Sequence, residues 1–264
     1  MSPSLDLSAL RDVAEAAALA GGAIVARNFG GAQHIREKAP GDWVSEVDIN
    51  SEAAVREVLT VESGLPVFGE EAGGERAEIG WLVDPLDGTS NFLHGFDAVG
   101  VSVALVRDGV PVVGVVHAPL LNRTFSAVQH GGATRDNEPI HTSARDTEQA
   151  IVGTGFPFRH HEVLPQYLAM FGAAIARFED LRRVGAASLD LCWVAEGVFD
   201  GFFELQLGPW DVAAGALIVR EAGGIVTDWE GDDRAWLSTG NILAAPPRVH
   251  PTLRELAASV RKFG

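Results

Sequence analysis

Cysteine is almost absent: the 264 residues contain one, Cys192. A single thiol excludes an intrachain disulfide and any zinc site built from cysteines. Long apolar runs are missing too; none reaches the roughly 18 residues that mark a membrane-spanning helix. The N-terminus, Met1-Ser2-Pro3-Ser4-Leu5-Asp6, has no basic region ahead of an apolar stretch, so no secretory signal is expected and a cytoplasmic protein is. Basic residues are scarce, with 20 Lys and Arg against 36 Asp and Glu, and the formal net charge is −16. Such a surface repels phosphate backbones, which argues against direct nucleic-acid binding. It would also repel any phosphorylated small molecule, unless bound divalent cations invert the field locally.

What is present is the composition of a globular chain: 47% hydrophobic and 21% charged residues. The length allows one large domain or two modest subdomains sharing a core. Leu10, Val13, Ala14, Ala17 and Ile24 recur at helical spacing, which predicts a helix over 7–29 stopped by Gly30-Gly31. Residues 32–44 read as a loop with a short strand. Ser45 is placed to cap a second helix carrying Ala54, Val55, Val58 and Leu59. Leu65–Phe68 and Ile79–Val83 read as buried strands that stop where acidic residues begin. Val99–Arg107 and Val110–His117 flank Asp108-Gly109, a hairpin turn signal. Thr124–Gln129 adds a strand. Beyond about residue 145, strands at 150–154, 181–184, 199–205, 225–227 and 242–244 alternate with helices at 162–178, 186–196, 210–222 and 247–262, as in α/β layering. The expected division is therefore an N-terminal α+β part, 1–145, and a C-terminal α/β part, 146–264.

The chemistry concentrates in Trp81-Leu82-Val83-Asp84-Pro85-Leu86-Asp87-Gly88-Thr89. An apolar strand delivers Asp84 at its end. Pro85 has no N–H, so the strand cannot continue as an inner ladder, and Gly88 permits a tight turn. Two carboxylates and the Leu86 carbonyl can then converge as oxygen ligands of the kind Mg²⁺ takes. A helix starting near Thr89-Ser90 would add amides suited to a phosphate oxygen. Alone, the segment reads equally well as a surface Asx turn. Three more segments carry acids with similarly double readings. Gly69-Glu70-Glu71 ends a strand or forms a solvated loop; Asp48 is a site acid or a dipole-favoured helix residue; Asp211, in Pro209-Trp210-Asp211-Val212-Ala213-Ala214-Gly215, is a ligand or a helix cap.

Taken together these motifs resemble the inositol monophosphatase family, whose signatures are a strand followed by Asp-Pro-x-Asp-Gly-Thr and a later Trp-Asp-x-Ala-Ala-Gly. Leu181 to Cys192 and Gly153-Thr154-Gly155-Phe156-Pro157 also resemble it, with all segments in family order from about residue 8 onward. The resemblance implies an alternating αβαβα sandwich, usually dimeric, and a Mg²⁺-dependent, lithium-sensitive phosphomonoesterase using two or three ions. It assigns Glu70, Asp84 and the Leu86 carbonyl to one ion, and Asp84, Asp87 and Asp211 to a second. Glu70 would also contact a weaker third. Asp48 and Thr89 match the pair that activates the attacking water. Gly88 and Thr89 amides would face the phosphate, with Lys38 nearby; Glu204 and Ala187 fall at positions facing the substrate alcohol. Ser45 stands where many relatives have Thr, and Leu86 where Ile is commoner. Asn91 to Gly95 and Glu204 look most like the branch acting on inositol phosphates. Histidinol phosphate, fructose 1,6-bisphosphate and 3′-phosphoadenosine 5′-phosphate are the alternative substrates within the superfamily. Some bacterial relatives are also regulatory partners of the transcription machinery, which makes a binding role the alternative of another class.

Other phosphatase chemistries fit less well. A haloacid-dehalogenase-type site needs its two acids two residues apart, whereas Asp84 and Asp87 are three apart. A cysteine phosphatase needs an Arg six residues after its nucleophile, and Val198 stands there after Cys192, which reads as core. No Gly-x-x-x-x-Gly-Lys loop supports an NTPase. His160-His161 lacks zinc-ligand spacing, and Arg182-Arg183 reads as a surface pair or an interface feature.

Overall fold

The computed structural model describes residues 5–31, 35–39, 42–75 and 77–261. The N-terminal residues 1–4 and the last residue of the helix expected to reach 262 lie outside this range, as do residues 32–34 and 40–41 of the expected loop.

The fold is a mixed α/β stack of five layers. Helices α1 (Leu7–Asn28) and α2 (Glu46–Ser63) form the first layer, after a small hairpin of β1 (Arg36–Ala39) and β2 (Asp42–Val44) between them. They cover one face of a seven-stranded sheet, which contains β3 (Val67–Gly69), β4 (Ile79–Asp87), β5 (Gly100–Arg107), β6 (Val110–Ala118), β7 (Arg123–Val128), β8 (Gly132–Arg135) and β9 (Glu138–Pro139). The strands lie in sequence order, and every pairing is antiparallel except β3–β4. A short helix, α3 (Thr89–Leu93), follows β4 directly.

The second sheet has the order β11-β10-β12-β14-β13, from β10 (Ile151–Thr154), β11 (Asp180–Arg182), β12 (Gly201–Glu204), β13 (Ile225–Thr227) and β14 (Ile242–Ala245). Between the sheets run α5 (Ala187–Ala195) and α6 (Pro209–Glu221). Helix α4 (Leu164–Ile175) and α8 (His250–Ser259) cover the outer face, and α7 (Trp236–Thr239) is a single turn beside α6. Three apolar clusters fill the spaces between layers.

Each cluster follows from sequence pattern. Small residues Ala14, Ala17, Ala18 and Gly21 line the buried face of α1, so α2 and the sheet approach closely. The middle helices are hydrophobic all round, as helices between two sheets must be: every residue from Val212 to Val219 of α6 is buried. Cys192 is fully buried in α5, as expected.

Three features depart from the sequence reading. Strand β4 does not stop at Asp84 but runs through Pro85 to Asp87, with a register shift between Asp84 and Asp87. Pairing with β3 ends at Val83, so Pro85 lies where β4 has a neighbour on one side only. The sheet also extends through β8 and β9, where Gly132 and the Asp136-Asn137 turn hid short strands. Helix α4 begins at Leu164, after a 3-10 turn over His161–Val163.

Candidate metal centre

Three elements deliver acids to one place. Glu70 follows β3, and its N–H donates to the Val83 carbonyl at 3.1 Å, which sets it beside Asp84. Asp84 is only 2% exposed, and its Oδ1 accepts the Leu86 N–H at 3.0 Å across the proline kink. Asp211 is the third residue of α6 and caps it, accepting the Gly208 N–H at 2.7 Å. One carboxylate oxygen from each of Glu70, Asp84 and Asp211 lies within 4.8 Å of the others. The sequence reading named all three; the fold brings them together from positions up to 141 residues apart.

Like charges held this close resist ionisation. Burial, then the charges of Glu70, Asp87 and Asp211, push Asp84 well above the usual carboxylate range. Asp211 is pushed up to about 8 by burial and then by Glu70 and Asp87. Among the described residues, the trio's one ion pair is Lys38 Nζ with Glu70 Oε1, 3.1 Å, and the same ammonium lies 2.8 Å from Glu71 Oε1. Burial pushes Glu71 up to about 7, against the pull of Lys38. Three clustered carboxylates, Asp84 buried and Glu70 and Asp211 half-buried, with one ammonium among them, fit a hard divalent cation such as Mg²⁺.

Asp87 is the next acid along β4 but stands outside that trio. Its Oδ2 accepts the Ser188 N–H at 2.7 Å and the Ser188 hydroxyl. Burial raises it to about 6, opposed by the Ser188 bonds and helped by the charge of Glu70. The expected second ligand set is thus split between the trio and an acid anchored on α5.

Asp48 and Thr89 meet just past the end of β4. Asp48 completes the capping box of α2, accepting from Ser45 N at 2.8 Å and Ser45 Oγ at 2.6 Å through Oδ2. Its Oδ1 accepts the Thr89 hydroxyl at 2.9 Å; the Leu86 carbonyl is 3.1 Å from the same hydroxyl. Burial raises the Asp48 pKa, and the Ser45 and Thr89 bonds oppose that rise. Gly88 precedes α3 with φ +88°, and a Cβ there would come within 3.0 Å of the Ala98 carbonyl and 3.3 Å of Ala186. Both conformation and space therefore require glycine.

The remaining predicted residues border this centre. Ala187 is the first residue of α5 and is buried. Glu204 ends β12 with its carboxylate lying over Gly155, where no side chain would fit. It is pushed up to about 8 by burial, then by Asp211, against the pull of Arg183. Arg183 itself stacks over Phe156 and Phe158 at 5.6 and 5.5 Å, whereas Arg182 pairs with Asp180.

A model of the inositol monophosphatase family matches residues 6–262. The chain belongs to the inositol monophosphatase family. It is 47% identical over 219 residues to a putative Nus factor SuhB of Neisseria meningitidis serogroup B, covering 80% of this chain and 83% of that one. Among solved structures it resembles the extragenic suppressor protein SuhB of Bartonella henselae (TM-score 0.89, 36% identity, 94% and 98% of the two chains). It also resembles the inositol monophosphatase of Anabaena (TM-score 0.85, 31% identity, 98% of each).

Within this family frame, two anchoring residues escaped the sequence reading. Ser188 is 101 residues from Asp87, and nothing local to either announces the bond. Glu52 lies four residues after Asp48, on the same face of α2, and that helical spacing was a usable signal.

Proposed function

We propose that this chain is a Mg²⁺-dependent phosphomonoester hydrolase, acting on inositol 1-phosphate or a similar polyol phosphate. The observation that carries the reading is the convergence of Glu70, Asp84 and Asp211 within 4.8 Å, beside the Asp48–Thr89 pair. Glu70, Asp84 and the Leu86 carbonyl would hold one ion, and Asp84, Asp87 and Asp211 another. When bound, such ions supply a water acidified for attack and charge neutralisation at the phosphoryl oxygens. Their presence also resolves why a protein of net charge −16 accepts an anion.

The side chains have separate tasks. Thr89 has one hydroxyl hydrogen and gives it to Asp48 Oδ1, which leaves the Thr89 oxygen to accept a hydrogen from the attacking water and aim its lone pair. Asp48 is held by Ser45 and so keeps that hydroxyl in one rotamer. The Gly88 and Thr89 amides face the phosphate, and Lys38 adds positive charge at its edge. Glu204 accepts from an alcohol hydroxyl of the substrate, against the small surface of Ala187. We assign the enzyme to the cytoplasm and to a homodimer on the family pattern.

The test is phosphate release from inositol 1-phosphate, histidinol phosphate, fructose 1,6-bisphosphate and 3′-phosphoadenosine 5′-phosphate, each with Mg²⁺ and with EDTA. Turnover that requires Mg²⁺ supports the reading and ranks the substrates; no turnover of any member overturns it. The names of the relatives favour a second reading, a regulatory partner in transcription. An Asp84→Asn protein that loses turnover yet retains partner binding would separate the two roles.

A further inference from the structure

Helix α2 does more than carry Asp48. One helical turn later stands Glu52, a carboxylate only 2% exposed. A buried carboxylate has to be matched by donors, and here the donors are specific. Glu52 Oε2 accepts the Glu71 N–H at 2.7 Å, and Oε1 accepts the Ala72 N–H at 3.1 Å and Arg56 Nε at 2.7 Å. Arg56 then donates to the Val67 carbonyl at 3.0 Å and to the Gly73 carbonyl. The turn from Gly69 to Gly73 is closed by its own pair of backbone bonds, 2.9 and 3.1 Å. Two of its amides are thus held by the acid, and the Gly73 carbonyl at its end and the Val67 carbonyl of β3 by the base.

Glu70 sits inside that grip. On one side of it, Gly69 lies flat against the Glu52 carboxylate, where a Cβ would be 2.4 Å from Oε1. On the other, the Glu71 amide is bonded to Glu52. Ser51, the neighbour of Glu52, donates through its hydroxyl to the Pro85 carbonyl at 2.8 Å, between Asp84 and Asp87. A single helix face therefore holds both backbone segments that bring acids to the centre. Glu52 Oε1 accepts two hydrogen bonds and Oε2 one, and Glu52 is not among the acids that converge within 4.8 Å. A buried ion pair is weak evidence for stability; one tied to the backbone of a ligand-bearing turn has a geometric role.

We propose that Glu52 is a positioning residue for the metal centre: by clamping the Gly69–Gly73 turn to α2, it sets where Glu70 stands relative to Asp84. This rests on the Mg²⁺ reading above. The charge of Glu52 matters as well as its size, because an amide in its place would turn N–H toward N–H at one of three donors.

The experiment is calorimetric titration of Mg²⁺ into the full-length wild type and Glu52→Gln, with melting temperature and phosphate release against Mg²⁺ concentration measured in parallel. Outer-shell partners of metal ligands typically carry 10–100-fold in affinity. Glu52→Gln is therefore expected to weaken Mg²⁺ binding by about that factor, with kcat largely recovered at saturating Mg²⁺. Glu52→Asp should fall between Gln and wild type. Folded Glu52→Gln that binds Mg²⁺ as tightly as wild type overturns the proposal. If Glu52→Gln does not fold, Arg56→Lys serves, since an ammonium can pair with Glu52 but cannot span both carbonyls; unchanged Mg²⁺ affinity there is equally fatal. Wild type that takes up no Mg²⁺ overturns the parent reading and this inference with it, an outcome distinct from equal binding by both proteins.

Discussion

Glu70 and Asp211 reach the same centre by opposite means. Asp211 rides on α6, whose following eight residues are all buried between two sheets. Glu70 rides on a turn at the margin of the first sheet, held by Glu52, Arg56 and Lys38. One arm is fixed by close packing, the other by hydrogen bonds and charge. Packing transmits any change in volume to the whole fold, whereas a polar clamp can weaken without unfolding the protein. Substitutions in the first arm should therefore register as stability, and those in the second as metal affinity.

The sharpest probe lies between the arms. On the proposed function Asp84→Asn removes the acid both ligand sets would share, so activity should fall by about 10³-fold, several kcal/mol of transition-state stabilisation. Because it also relieves like-charge repulsion, the metal-free variant should melt no lower than wild type; a large drop in melting temperature would undo the division. Thr89→Ala should cost about 10²-fold in kcat, the lower range for acid–base groups, with Thr89→Ser restoring most of it. Equal activity of Thr89→Ala and wild type would remove Thr89 from the chemistry.

Next in size is a packing test. A Cβ at Gly114 of β6 would meet the Ala214 carbonyl of α6 at 2.8 Å. Gly114→Ala should therefore lose about 1–3 kcal/mol in urea unfolding, while, on the proposed function, the folded protein keeps its half-saturating Mg²⁺. A shift in metal affinity would show that the packed arm tunes the centre too. Smallest is Ser188→Ala, which strips one of two bonds from Asp87 and should raise half-saturating Mg²⁺ about tenfold with little change in melting temperature.

The sequence displayed the acids better than their supports. Asp84, Asp87 and Asp211 sit in short local motifs, each with a turn or cap reading of its own, and it is their order along the chain, resembling the family's, that singles them out. The α/β alternation beyond residue 145 was legible from periodicity, whereas the layered order came with the family resemblance. Supports such as Ser188 and Glu52 act on backbone amides or on acids far along the chain; the helical spacing of Glu52 from Asp48 marks its face, but the amides it holds have no sequence signature. The run of β4 past Pro85 was missed for a related reason: whether a proline is tolerated depends on whether β3 is still alongside, which is a property of the sheet. Short strands β8 and β9 were hidden because their residues resemble the turns that flank them.

Helix α6 has one more consequence, for reading descent. Its motif, Trp210 to Gly215, combines a single chemical residue with a run whose small size is enforced by neighbours: Ala214 faces β6 at Gly114, and Gly215 faces Leu191, where a Cβ would be 2.7 Å from the leucine side chain. A lineage that gave up hydrolysis would still be forbidden to enlarge Ala213, Ala214 or Gly215. Of that motif, Asp211 alone would be released from selection for chemistry. Persistence of the motif as a whole therefore records the layered architecture, and the informative letter for whether a relative still works as an enzyme is the aspartate.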